Sequence, residues 1–183
     1  SNTKNIINFI NMINEKYGKL YGLINNAAVG YDGILATMHE SEINETLRVN
    51  IEAPILLSKY SSRMMLLSGG GRIINISSII ANTGFNGLSV YAASKSSLIG
   101  FTKSLSRELG KAKITVNAIC PGYMQTEMTS GIDQIKLDQI KRRSPMKKLI
   151  SPSDITGMVI YLLSSDAQLI TGADFTIDAG STA

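Results

Sequence analysis

One cysteine in 183 residues, Cys120, excludes an internal disulfide and makes a reducing cytoplasm the expected setting. The longest clean apolar run, Met158 to Leu163, is far too short to cross a bilayer as a helix, so no membrane partner is expected. Bases are not interleaved with aromatics, and a formal charge of +4 is only mildly basic, which argues against nucleic acid as a partner. No metal site is expected. Internal repeats, low-complexity tracts and interdomain linkers are missing too. Residues 1–183 therefore read as a single domain, and a 44% hydrophobic content is enough for a sizeable core.

What is present is a spacing. In Tyr91-Ala92-Ala93-Ser94-Lys95, tyrosine and lysine stand four apart and share one face of a helix. An ammonium fixed beside a phenol favours the phenolate and would lower a tyrosine pKa from near 10, making Tyr91 a general acid/base. Thirteen residues upstream lies Ser78, at the C-terminal edge of a strand over 71–77. Ser77 is its rival, and the spacing to Tyr91 decides for Ser78. Cys120 falls inside another strand and reads as a small core hydrophobe.

Along the chain, Ile6-Ile7, Phe9-Ile10 and Ile13 predict a helix over 3–17 behind Asn2 or Thr3. A strand at 20–25 leads into a polar loop. Ser41 is the expected cap of one long helix through 67. The strand at 71–77 is followed by a Gly/Asn-rich loop over 82–89 and a helix over 91–110. A strand at 114–120, an irregular stretch with a short helix near 133–142, a helix capped by Ser151 or Ser153 that runs to 164, and a strand at 173–178 complete the order. Strand–helix alternation with apolar strands implies a parallel α/β sheet.

Pro54 lies four residues after Asn50 and has no N–H for the Asn50 carbonyl. A local kink that frees this carbonyl to hold a water is one reading. A tolerated kink beside a satisfied buried Asn50 amide is the other.

Taken together, Asn25-Asn26-Ala27-Ala28, Asn50, Ser78, Tyr91…Lys95 and Pro121-Gly122…Thr126 resemble the short-chain dehydrogenase/reductase family, most closely its 3-oxoacyl-(acyl-carrier-protein) reductases. The resemblance implies a Rossmann-like doubly wound parallel sheet. It also implies that the first βαβαβ part, roughly 60 residues with a TGxxxGxG turn, is missing ahead of Ser1, since neither that motif nor GxGxxG occurs. The edge of the strand at 20–25 would then be uncovered, with partial disorder or an unusual contact there.

By resemblance, a ketone is reduced by hydride from NADP(H), favoured over NAD(H). Tyr91 donates the proton, Ser78 hydrogen-bonds the same oxygen, and Lys95 holds the nicotinamide ribose. Asn50 continues the proton path through a water. Asn25 and Ala27 line the adenosine side. Pro121, Gly122, Met124 and Thr126 meet the carboxamide end, though an ordinary Pro-Gly turn explains their sequence as well. Ala28, where the family has glycine, is tolerated unless the turn needs positive φ.

The substrate implied is a small molecule or acyl thioester, in the second case with a carrier protein attached. Lys136, Lys141, Arg142, Arg143, Lys147 and Lys148 form either a solvated face or a docking surface for an acidic carrier or phosphorylated thioester. Leu66-Leu67-Ser68-Gly69-Gly70 lacks the basic residues of carrier-linked reductases. A dimer or tetramer packed through the helices at 41–67 and 91–110 is expected. A catalytically incompetent fragment serving as an assembly module is the alternative, as is a reductase for a different secondary alcohol, a sugar or a polyketide.

Overall fold

A computed structural model of the chain describes residues 3–124 and 134–183. Four strands form one sheet in the order β1 (Gly22–Asn25), β2 (Gly71–Ile76), β3 (Ile114–Pro121) and β4 (Asp174–Ile177), and every pairing is parallel. Helices α1 (Thr3–Tyr17), α2 (Glu40–Leu47), α3 (Ala53–Leu67), α4 (Ile80–Thr83), α5 (Ser89–Leu109), α6 (Gln134–Arg143) and α7 (Pro152–Leu163) lie between the strands or precede them. No helix among the described residues is long and apolar enough to cross a membrane.

β2 and β3 read as near-continuous apolar runs because both of their faces are covered. On one face Ile73, Ile114 and Val116 pack with Met65 of α3 and Leu109 of α5. On the other, Ile74 and Ile119 pack with Ile155 and Leu162 of α7. The sheet is thus wound on both sides, as the strand–helix alternation implies. Cys120 is fully buried in β3, as a small core residue would be, and burial pushes its thiol pKa up.

A buried polar ladder crosses the first of these faces. Asn25 and Asn75, register partners on β1 and β2, are joined by a hydrogen bond of 2.8 Å from Asn25 Nδ2 to Asn75 Oδ1. Asn25 Nδ2 also donates to Ser58 Oγ of α3, and Asn75 Nδ2 donates to Thr102 Oγ1 of α5. Such bonds fix register where apolar packing alone would let a strand slide.

The expected long helix over 41–67 is corrected in two ways. Its first turn begins at Glu40, and His39, not Ser41, takes the cap, its N–H donating to Glu42 Oε2 at 3.1 Å. Its middle is a π-helical turn, Arg48–Glu52, where Ala53 N–H reaches back to Arg48 O. The proline supplies the reason: without an N–H at 54 the α-ladder cannot continue through Asn50, and a widened turn takes its place. The 82–89 loop also begins later than expected, because residues 80–83 close a short helix, α4. Ser151 caps α7, with Asp154 Oδ2 accepting from Ser151 N at 2.7 Å.

Among the described residues β1 pairs with β2 alone, and Ile24 is 42% exposed on it. The backbone at Ala28 has no positive φ, so its methyl group is accommodated without strain.

Candidate functional site

β2 ends at Ile76, and the chain leaves the sheet through Ser77 and Ser78. In a parallel sheet this C-terminal edge is where loops converge. The two serines part company here. Ser77 is buried, and its Oγ donates to Lys95 O at 2.8 Å, fastening α5 to the strand end. The Ser78 hydroxyl accepts from Ile80 N and shares a hydrogen bond with the Tyr91 phenol. The thirteen-residue spacing therefore selects the serine that meets the tyrosine.

α5 supplies Tyr91 and, one turn on, Lys95. The Lys95 side chain is 2% exposed, and its Nζ donates to Ile76 O at 2.8 Å. Burial drives its pKa down to about 8, against a small opposing effect of Cys120. Burial raises the Tyr91 pKa, and the Ser78 hydrogen bond opposes that rise. The expectation that Lys95 lowers the tyrosine pKa is corrected. The ammonium lies 5.7 Å from the Tyr91 ring centroid, bonded to the Ile76 carbonyl, and desolvation of the phenol dominates.

Asn50 is 1% exposed, and its amide is committed. Nδ2 donates to Val29 O at 2.8 Å and to Ser94 Oγ at 3.0 Å, and Oδ1 accepts from Val29 N at 2.9 Å. Ser94 Oγ donates in turn to Tyr91 O at 2.7 Å. A chain of hydrogen bonds thus links the segment after β1, the π-helical turn and the tyrosine. Both N–H donors of the side chain are used, so any water at Asn50 would have to donate, to the main-chain carbonyl or to the second lone pair of Oδ1. Ser94 and Gly30 escaped the sequence reading. A Cβ at Gly30 would stand 3.1 Å from Tyr91 Cδ2, so the ring rests directly on that backbone. Neither residue carries a spacing signal, since their roles arise only when β1 and α5 meet.

The residues expected to meet a cofactor fall in three groups. Asn25 is buried in the polar ladder with its Oδ1 left without a partner, so its side chain faces inward, while Ala27 is exposed. Pro121 ends β3 with its carbonyl accepting from Ile79 N. Gly122 N donates to Ile177 O, and a Cβ on Gly122 would stand 2.7 Å from Asp178 Cα. Close approach of two strand ends thus accounts for this glycine. Met124 bridges to Ile150. Thr126 lies outside the described residues.

The donor set fits the ribose end of a nicotinamide cofactor. An ammonium has three N–H donors. Lys95 directs one to Ile76 O, leaving two for vicinal hydroxyls. No GxGxxG occurs in the sequence to cradle a pyrophosphate. Chemically, the Ser78 and Tyr91 hydroxyls can both donate to one oxygen atom placed between them, which is what a carbonyl becoming an alkoxide requires.

A family model described as enoyl-(acyl carrier protein) reductase matches residues 1–182. A 3-oxoacyl-[acyl-carrier-protein] reductase of Buchnera aphidicola is 36% identical over 180 residues, which is 98% of this chain and 74% of the relative. The enzyme of that name from Escherichia coli is 35% identical over 168 residues, covering 92% of this chain and 69% of the relative. A solved structure of a mutant short-chain dehydrogenase/reductase from Serratia marcescens superposes on all of this chain, and on 74% of its own, with a TM-score of 0.92 at 34% identity.

Proposed function

The chain belongs to the short-chain dehydrogenase/reductase family of nicotinamide-dependent oxidoreductases, and on that premise we propose that it reduces the ketone of a 3-oxoacyl thioester. The observation that carries this reading is the hydrogen-bonded pair of Ser78 and Tyr91 beside the buried Lys95. Two hydroxyl donors converging at one point suit a carbonyl oxygen better than the carbon–carbon double bond that the family model's description names. The thioester class comes from the names of the relatives.

When bound, the cofactor supplies the hydride; NADP(H) is the form we favour over NAD(H). The protein's own residues do the rest. Tyr91 delivers a proton to the developing alkoxide, and Ser78 hydrogen-bonds the same oxygen. Lys95 uses its two remaining donors to hold ribose hydroxyls and to keep a proton within reach. Asn50 orders the approach to Tyr91 through Ser94, and its carbonyl, which Pro54 cannot engage, holds a water that resupplies protons. Asn25 and Ala27, through backbone, and Pro121, Gly122, Met124 and Thr126 line the cofactor. We read residues 1–183 as part of one cytoplasmic domain, assembled into dimers or tetramers through α3 and α5.

The test is turnover of a 3-oxoacyl thioester with NADPH by the reductase and its Tyr91→Phe variant. Loss of a factor of about 10²–10⁴ is expected on removing the proton donor, and unchanged turnover would overturn the reading. The same assay with sugar and polyketide ketones separates thioester reduction from another alcohol chemistry, and NADH in place of NADPH decides the cofactor. Light scattering that returns a monomer would remove the oligomer.

A further inference from the structure

β4 ends at Ile177, and the turn that follows is built around one side chain. Asp178 is buried, and its Oδ1 accepts from Gly180 N at 2.8 Å. Its Oδ2 accepts from Thr182 N at 2.8 Å and from Thr182 Oγ1 at 2.7 Å. Its carbonyl accepts from both the N–H and the Oγ of Ser181. Among the described residues no ion pair involves Asp178, so its carboxylate serves the turn itself. Ala179 takes the left-handed conformation, φ 56°, which a non-glycine residue keeps only where its surroundings impose it.

Two distant stretches rest on this turn. The first is the exit from β3. Gly122 N donates to Ile177 O at 2.8 Å, and a Cβ on Gly122 would stand 2.6 Å from Asp178 Cβ. On the other side of the same Pro121–Gly122 pair, Pro121 O accepts from Ile79 N at 3.0 Å, next to Ser78. The ladders between β2, β3 and β4 thus run on past the strand ends, and Asp178 closes the far side of that row. The second stretch is where the chain comes back from α6. Ser144, itself buried, donates from Oγ to Ala179 O at 2.7 Å, and Met146 N donates to the same carbonyl at 3.4 Å. A Cβ on Gly180 would stand 3.1 Å from Pro145 Cγ. One turn therefore supports both the residues that leave β3 and those that follow α6.

We propose that Asp178 is a positioning residue for the reduction: by closing its turn it sets where Pro121 and Gly122 stand, and through them the nicotinamide end of the cofactor and the backbone beside Ser78. The assignment rests on the reductase reading above and adds a residue that acts only through the backbone of others. Small displacements matter here, since a shift of about 1 Å at a reacting centre can cost about a hundredfold in rate.

Amide hydrogen exchange and turnover test it together. In Asp178→Ala the amides of Gly122 and Met146 should exchange about tenfold faster or more relative to those of Ile73 and Ile74 in β2, because a local opening is separable from global unfolding. In turnover of a 3-oxoacyl thioester, the same variant should raise KM for NADPH by about tenfold and lower kcat as well. Asp178→Asn keeps a carbonyl acceptor for part of the turn and should recover most of both losses. Loss of folded protein alone would lower the apparent kcat and leave KM for NADPH where it was. A KM unchanged in Asp178→Ala would therefore reduce Asp178 to a stabilising residue and overturn the proposal. So would exchange at Gly122 that is unaltered, or that rises no more than exchange in β2. A wild-type chain without turnover would count against the reductase reading, while the exchange still judges whether Asp178 holds Gly122 in place.

Discussion

Asn50 grips both main-chain groups of Val29: its Nδ2 donates to the Val29 carbonyl at 2.8 Å and its Oδ1 accepts from the Val29 N–H at 2.9 Å. Twenty-one residues separate the two, and a second tie from the segment after β1 reaches α2, where the Tyr31 hydroxyl donates to Glu45 Oε2 at 2.6 Å. Removing the amide would leave both groups of Val29 and the Ser94 hydroxyl without this partner inside the protein. Asn50→Ala should therefore lower stability by about 2–4 kcal/mol, since orphaned buried polar groups cost far more than a lost surface bond. Urea unfolding measures this. A loss below about 0.5 kcal/mol would mean that other contacts, the Tyr31–Glu45 bond among them, hold the segment without Asn50.

Pro54 tests the other half of Asn50. An N–H at position 54 could again donate to the Asn50 carbonyl and draw the π-helical turn of Arg48–Glu52 toward α-geometry. Pro54→Ala should leave stability nearly unchanged, because the regained hydrogen bond offsets the lost proline rigidity. Turnover should fall by about tenfold if that carbonyl serves the proton path. A variant that keeps full activity would confine Pro54 to a packing role.

The sequence disclosed the parts of this site that depend on fixed spacing. Tyr91 and Lys95 share a helix face by geometry alone, and the strand ending at Ile76 places Ser78 beside them. Apolar periodicity likewise disclosed the four parallel strands and most of the helices. Interactions made only when distant elements meet were hidden. The Val29–Asn50–Ser94 chain joins three segments, and nothing in the local pattern marks Ser94 or Gly30. The π-helical turn was half visible, since Pro54 announces a broken ladder without saying what replaces it. The cap at His39 was missed because Ser41 is the better capping residue by preference, yet Glu42 sits at the right distance to bond the His39 N–H. The pKa of Tyr91 was misjudged for a similar reason. Spacing reveals that a lysine is near, and only the folded site reveals that its ammonium is bonded to Ile76 O and that the phenol is buried.

Gly122 is small because of what it faces. An ideal Cβ there would stand 2.6 Å from Asp178 Cβ and 2.7 Å from its Cα, inside any tolerable contact. Asp178 cannot retreat freely. Its Oδ1 accepts from Gly180 N, and its Oδ2 accepts from Thr182 N and Thr182 Oγ1, which together hold the C-terminal turn. Gly122→Ala should cost about 1–3 kcal/mol, the usual range for overpacking. Thermal unfolding would show it, and an unchanged midpoint would mean that the ends of β3 and β4 separate more easily than this geometry implies.

Lys95 sets function against stability, and pH exposes the conflict. Its folded pKa of about 8 lies below the value of 10.5 expected when exposed. Below pH 8 both states carry the proton, and the folded protein bears the full cost of a buried ammonium, roughly 3 kcal/mol for a shift of this size. Between about pH 8 and 10.5 the unfolded chain binds the proton and the folded chain does not, so this group makes stability rise with pH across that window. Above it the cost is gone. Lys95→Met removes the charge and keeps the length of the side chain, at the expense of the bond to Ile76 O. The variant should be more stable than the wild type near neutral pH, and its advantage should shrink toward pH 10.5. Reductase activity should fall steeply if Lys95 holds the ribose as proposed, since methionine has no donor to replace its ammonium. Denaturant unfolding of both proteins from pH 6 to 10 decides the matter. A stability difference that stays constant across that range would show that the Lys95 ammonium is solvated and that burial does not lower its pKa.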